Sequence, residues 1–237
     1  MAFTKDSIVG EIVTVFPKAS DLFKANRIDF CCGGNKSLAE AAATRDIDAE
    51  AVLQTLNEQY AAYGAKDSGH DWMRESLSDL VEHVVNTHHQ YLNEELPQLS
   101  PYVTKVLRVH GGGQPHLADM HRLFHELKTE LEQHTIKEEA SLFPLITAYE
   151  QHPTAENLQK AAVMLEELEK EHDAAGDLMK IIRDVTSDFT PPAGACRTYQ
   201  MVYKRLEELE SDLFQHVHLE NNILFKRLSA LSQEAAG

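Results

Sequence analysis

Apolar residues recur at helical spacing along most of the chain, and no stretch alternates as a half-buried strand would. Four long periodic segments fill residues 72–237. The first, about 72–109, carries Leu77, Val81, Val84, Leu92, Leu96 and Leu99 on one stripe. Pro97 and Pro101 fall inside it and should kink or break it, because proline lacks an amide hydrogen and its ring crowds the preceding turn. Gly111-Gly-Gly113 closes this segment. A second runs from about Leu117 to Tyr149, a third from a Thr154 cap to about Val185, and a fourth from about Ala195 to Leu231 after Pro191-Pro192. Four long helices on short connections predict an up-down four-helix bundle.

The first 62 residues read differently. Thr4–Phe16 and Ala19–Asn26 predict short helices, a Cys-Gly turn follows, and Ser37-Leu-Ala-Glu40 has capping-box spacing, with hydroxyl and carboxylate each meeting an orphaned backbone amide. Asp48 opens another helix through Gln59. Residues 1–62 therefore predict a small helical module, and the polar, glycine-bearing stretch 63–71 a linker. The expected class is all-α.

Composition narrows the function. Eleven glycines and eight prolines in 237 residues are too few for a collagen-like or strongly disordered chain. Twenty-two basic against 38 acidic side chains leave a net charge of −16, and with no basic run this argues against a nucleic-acid partner. The opening residues lack the layout of a secretory signal, and no apolar run approaches the ~18 residues of a membrane span. A cytoplasmic protein without a membrane partner is expected. Three cysteines, two of them adjacent at Cys31 and Cys32, make a poor disulfide framework and read as redox-active or metal-reactive thiols. Thirteen histidines invite a metal reading.

Helix arithmetic sorts those histidines. His134-Thr-Ile-Lys-Glu138 and His216-Val-His-Leu-Glu220 share a spacing. Four residues advance a helix by roughly 400°, so each imidazole and carboxylate project from one face ~6 Å apart. In bundles such pairs hold two metal ions, carboxylates bridging and imidazoles completing each ion, and this donor type suits iron, manganese or zinc. At ~1.5 Å per residue, His89, His134, His172 and His216 reach similar depth along the four segments. One layer can therefore contain His89, His134, Glu138, His172, His216 and Glu220. His88 and His89 are neighbours that spacing alone does not separate.

The same arithmetic removes competitors. His121 and His125 point roughly 220° and 180° away from His134 and should face solvent; His218, roughly 200° from His216, fails likewise. His110 is ~31 Å from His89 along an unbroken helix, too far to share a site unless the chain reverses at Pro97 or Pro101. An isolated H-x3-E is commonly a solvated pair, but these two lie among Leu131, Leu142 and Leu145 and among Leu213, Ile223 and Leu224. Glu130 and Asp212, one turn before each histidine, are either hydrogen-bond partners or polar rim. Glu139 and Glu171 could line an access route, although exposed acids are the simpler reading.

These residues carry a family resemblance. Ile28-Asp-Phe30 before Cys31-Cys-Gly-Gly34, then His134-x3-Glu138-Glu139 with Leu142-Phe-Pro144, Glu171-His-Asp173 and His216-Val-His-Leu-Glu-Asn-Asn222 together resemble the repair-of-iron-centres (RIC, YtfE/ScdA-type) family. That family joins a small ScdA-type domain with a vicinal cysteine pair to a hemerythrin-like bundle holding a di-iron centre. The resemblance implies a stress-response protein that restores iron-sulfur clusters damaged by nitric oxide or oxidants, by donating iron from two oxo-bridged non-haem iron ions. It implies His134, Glu138, His172, His216 and Glu220 as ligands, and favours His89 over His88 from the first helix. Damaged iron-sulfur proteins would be the partners, nitric oxide or oxygen small ligands, and a homodimer is compatible. Arg108-Val-His110-Gly111 also looks like a family motif.

Hemerythrin proper places a second histidine four residues after the third-helix ligand, whereas this chain has Gly176 there. One imidazole fewer favours iron release or binding of a diatomic ligand over reversible oxygen transport. Cys31 and Cys32 can relay iron, react with oxidants or nitric oxide, or fill a tight turn; a reactive role is favoured, because adjacent cysteines form only a strained disulfide. The reading is an iron-donating repair protein rather than a turnover enzyme. Its alternatives are a di-iron reductase of nitric oxide or small oxidants, and a nitric oxide or oxygen sensing module.

Overall fold

The computed structural model describes residues 2–63 and 71–236, so the expected linker, apart from its end residues, lies outside the described residues. The protein is all-α, and the described residues contain one isolated backbone bridge, Ile8 to Ser37, in place of a sheet. The chain forms two compact units: one takes in the residues up to Leu80 and those from Phe214 onward, the other is Val81–Leu213.

In the first unit, α1 (Val9–Val15), α2 (Ala19–Ala25), α3 (Leu38–Ala43) and α4 (Ala49–Tyr63) bury Val9, Ile12, Val13, Phe16, Phe23, Leu38, Val52 and Leu56. Helix α1 starts later than the periodicity predicts. The amides of Val9 and Gly10 donate to the Lys36 and Gly34 carbonyls at 2.9 and 2.8 Å, so the loop before α3 occupies the N-terminal end of α1. The Ser37–Glu40 capping box is formed in both directions, Glu40 N donating to Ser37 Oγ and Ser37 N to Glu40 Oε2.

The C-terminal stretch belongs to this unit. Asn222, buried, donates from Nδ2 to the carbonyls of Cys31 (2.9 Å) and Phe30 (3.3 Å). Gly10 and Gly34 make room for it: a Cβ on either would lie 2.4 or 2.7 Å from Asn222 Oδ1. Arg227 donates to the carbonyls of Trp72 and Glu75 at 2.7 and 2.8 Å.

In the second unit, α6 (Gln90–His110) follows from α5 (Leu77–Val84) through a wider turn at Val85–His89. It passes unbroken through Pro97 and Pro101, against the sequence expectation. Leu92, Leu96, Leu99, Val103 and Val106 form a continuous buried stripe, while both prolines lie on the exposed face. There the Asn93 and Pro97 carbonyls, deprived of an amide donor, can be hydrated, and packing of the opposite face holds the helix together. Next come α7 (His116–Lys137), a wider turn at Glu138–Leu142, α8 (Phe143–Gln151) and α9 (Ala155–Val185). Thr154 caps α9 by accepting from Asn157 N, as expected. The fourth segment is α10 (Arg197–Leu219), whose residues from Phe214 onward belong to the first unit, then a wider turn at Glu220–Leu224 and α11 (Phe225–Ala236), both of the first unit. On α10 the fully buried carboxylate of Glu210 accepts two hydrogen bonds from Arg183 of α9, one from Nε at 2.6 Å.

Candidate metal centre

Three times the helical chain widens into a π-type turn, and each time a candidate ligand stands at its edge. His89 closes the first, Glu138 opens the second and Glu220 opens the third. Such turns hold one residue more than α-geometry and concentrate at functional sites.

In the second unit four side chains converge. His89 Nε2 and His134 Nε2 each lie 3.3 Å from Glu138 Oε2, and His172 Nε2 lies 2.7 Å from His134 Nε2. Ligand atoms of His134, Glu138 and His172 all fall within 4.8 Å of one another, and all four residues are buried. The outer ring nitrogens are held as well. His89 Nδ1 bonds Glu139 Oε1 and His134 Nδ1 bonds Glu171 Oε2, both at 2.8 Å. A carboxylate accepts only from a protonated Nδ1, so each ring turns its Nε2 lone pair toward Glu138. Burial pushes the Glu171 carboxyl up, but bonds from Lys137 and His134 outweigh it and leave it below the ordinary range.

This arrangement fits a cation. A fully buried carboxylate is costly unless opposite charge compensates it, and imidazoles whose lone pairs face the carboxylate supply donors rather than charge. Oxygen and nitrogen donors without a thiol suit a borderline metal ion. A cavity of about 340 Å³, lined by Glu130, His134, Lys137, Lys170, Glu171 and His172, reaches this cluster. In the first unit His216 Nε2 lies 3.1 Å from Glu220 Oε2, both buried, as the four-residue spacing requires.

Comparison with known proteins decides the family. Residues 5–60 match the ScdA N-terminal domain of unknown function (DUF542), and residues 80–228 match the hemerythrin HHE cation binding domain. The iron-sulfur cluster repair protein ScdA of Staphylococcus epidermidis is 35% identical over 227 residues, covering 95% of this chain and 99% of that protein. The cluster repair protein YtfE of Escherichia coli is 35% identical over 226 residues, covering 95% and 98%. YtfE of an Enterobacter species is 36% identical over 230 residues, covering 97% and 99%. This chain belongs to the ScdA/YtfE iron-sulfur cluster repair family.

Its fold class is that of the family, a hemerythrin-like helical bundle preceded by a small helical domain. In this ScdA/YtfE-family protein Glu139 and Glu171 are not idle acids. Glu139 is exposed, as the simpler reading expects, and Glu171 is half-buried, but both bond histidines on other segments, which spacing along one helix cannot reveal. Glu139→Ala or Glu171→Ala should weaken metal binding by ~10–100-fold with the fold retained, measured by chelator competition and circular dichroism.

The remaining histidines separate. His88 bonds Asp212 Oδ1 at 2.9 Å, so Asp212 partners a histidine other than the one a turn after it. His121 and His125 are half-buried on α7, and His110 Nε2 lies 3.3 Å from Cys196 Sγ at the end of α6. His218 is not on a solvent face. It is buried beside Thr14, with Nε2 3.5 Å from Thr14 Oγ1, and its ring packs on Phe30. Burial lowers its pKa to about 4, against a hydrogen bond to the Phe30 backbone. The unfolded chain, near 6.5, then binds more protons between those values, so stability falls as pH drops through that window. Metal-free protein should lose about 2 kcal/mol more than a His218→Phe variant between pH 8 and pH 5, read from urea midpoints.

Cys31 and Cys32 lie within reach of one more donor. Asp29 Oδ1 accepts from the amides of Cys31 (3.2 Å) and Gly33 (2.9 Å) and from Cys31 Sγ (3.4 Å), and the two sulfurs are 3.8 Å apart. Burial pushes the Cys31 thiol well up.

Proposed function

We propose that His89, His134, Glu138, His172, His216 and Glu220 would hold a pair of non-haem iron ions, and that the protein repairs damaged iron-sulfur clusters by donating that iron. The observation that carries this reading is the buried His89–His134–Glu138–His172 cluster with its two outer carboxylates. The cation-binding family match over residues 80–228 takes in the His216–Glu220 pair too, which supports one ligand set. The printed names of the relatives support the repair role.

When bound, iron supplies an exchangeable metal ion and a redox couple. The chain's own residues do the rest. Glu139 and Glu171 fix the Nδ1 protons of His89 and His134, Glu138 supplies buried negative charge, and the cavity beside His134 and His172 gives a route to the surface. Cys31 and Cys32 act in this reading as redox or iron-relay thiols, and damaged iron-sulfur proteins of the cytoplasm as clients. Among the described residues no helix is long and apolar enough to cross a membrane.

Gly176, buried one turn after His172, favours a second reading. A glycine there leaves the third helix with a single imidazole, and the position it vacates suits a diatomic ligand such as nitric oxide, reduced or sensed at the same centre. Iron-loaded protein incubated with a cluster-free dehydratase, with and without chelator, separates the two. Reactivation that the chelator blocks is the expected result. No reactivation sinks donation, and sustained nitric oxide consumption with a reductant then favours the second reading.

A further inference from the structure

One pair of histidines has no part in the proposed iron site. His121 and His125 stand four residues apart on α7, so they share a face on consecutive turns. Their ring centroids are 4.4 Å apart. Both Nε2 atoms are directed at one hydroxyl, Thr104 Oγ1 of α6, at 3.2 Å from His121 and 3.5 Å from His125. Both rings are half-buried and open to water on one side.

We propose that His121 and His125 form a second, surface metal site that chelates a divalent first-row transition cation, with water filling the other positions and the Thr104 hydroxyl beside it. Two imidazoles on successive turns of one helix are already brought together, so little conformational freedom is lost when both bind. Burial, the neighbouring His121 and Lys128 lower the pKa of His125, which keeps that ring neutral and its lone pair available near pH 7. The net charge of −16 raises the local concentration of cations.

This site differs from the iron centre in chemistry and place. It offers two nitrogens and no carboxylate, a set whose affinity rises toward nickel and copper. His125 precedes His134 by nine residues, roughly 13 Å along the helix and on its opposite side. The proposal therefore does not depend on the iron assignment.

The test uses full-length, iron-loaded protein and Ni²⁺ as probe, with equilibrium dialysis to count bound nickel and metal analysis to follow iron. Wild type should take up a nickel ion that His121→Gln and His125→Gln each weaken by at least about tenfold, since losing a ligand costs no less than losing an outer partner. Iron content and the optical spectrum should not change, because neither side chain touches the buried cluster. Glutamine on this half-exposed face preserves the helix, which circular dichroism verifies. Nickel uptake equal in wild type and both variants, or none in wild type, overturns the proposal.

Discussion

Replacing Glu138 and Glu220 together by leucine should abolish iron binding and, in the metal-free protein, raise the unfolding free energy. Both carboxylates are fully buried, and Glu138 meets two imidazoles. Taking an ionised carboxylate out of water costs several kcal/mol, and imidazoles that turn their Nε2 lone pairs toward it return no compensating charge. Leucine has similar volume and no such penalty, so the metal-free variant should gain about 1–4 kcal/mol. With iron present the sign reverses, because only the wild type gains the stabilisation of a ligand bound to the native state. Denaturant unfolding with and without chelator, with metal analysis, measures both halves. A double variant that keeps two iron ions refutes the ligand set. One that loses iron and is also weaker without metal overturns the expected gain, showing that the buried carboxylates stabilise the metal-free fold as well.

Arg183→Met should lower stability by about 3–5 kcal/mol, leaving the Glu210 carboxylate buried without its cation. Glu210 is fully buried, its two oxygens engaged by Nε and a terminal nitrogen of Arg183. The bonds to Glu210 hold the guanidinium pKa above its usual value and outweigh the burial that pushes it down. The Arg183→Met/Glu210→Leu double variant should recover most of the loss, since an apolar pair of similar size removes both desolvation penalties. Urea midpoints for both single variants and the double variant give the coupling directly. A single variant within 1 kcal/mol of wild type would mean that water reaches Glu210.

Helix phase was legible in the sequence; what covers each helix face was less so. The stripe Leu92, Leu96, Leu99 placed α6 correctly, while the rule that proline breaks helices failed because Pro97 and Pro101 both fall on the exposed side of that stripe. Spacing put His134 with Glu138 and His216 with Glu220, and the structure keeps both pairs. The angle between His216 and His218 predicts a solvent-facing His218, on the premise that one side of a helix is wet. Thr14 and Phe30 cover that side. The three wider turns left no mark in composition: Val85–His89, Glu138–Leu142 and Glu220–Leu224 contain neither proline nor glycine.

The unit formed by both chain ends has a consequence for the order of events during synthesis. The segment up to Leu80 is completed by residues from Phe214 onward, with the 133 residues of Val81–Leu213 translated between them. At ~5–20 residues per second, the carbonyls of Phe30 and Cys31 therefore wait roughly 10–38 s on the ribosome before Asn222, 191 residues after Cys31, is made. Meanwhile the N-terminal helices lack their last layer. Chaperone demand should thus fall on the N-terminal helices, and the cysteine loop, held until then by Asp29 and the start of α1, gains its bonds to Asn222 only after the intervening bundle segment is made.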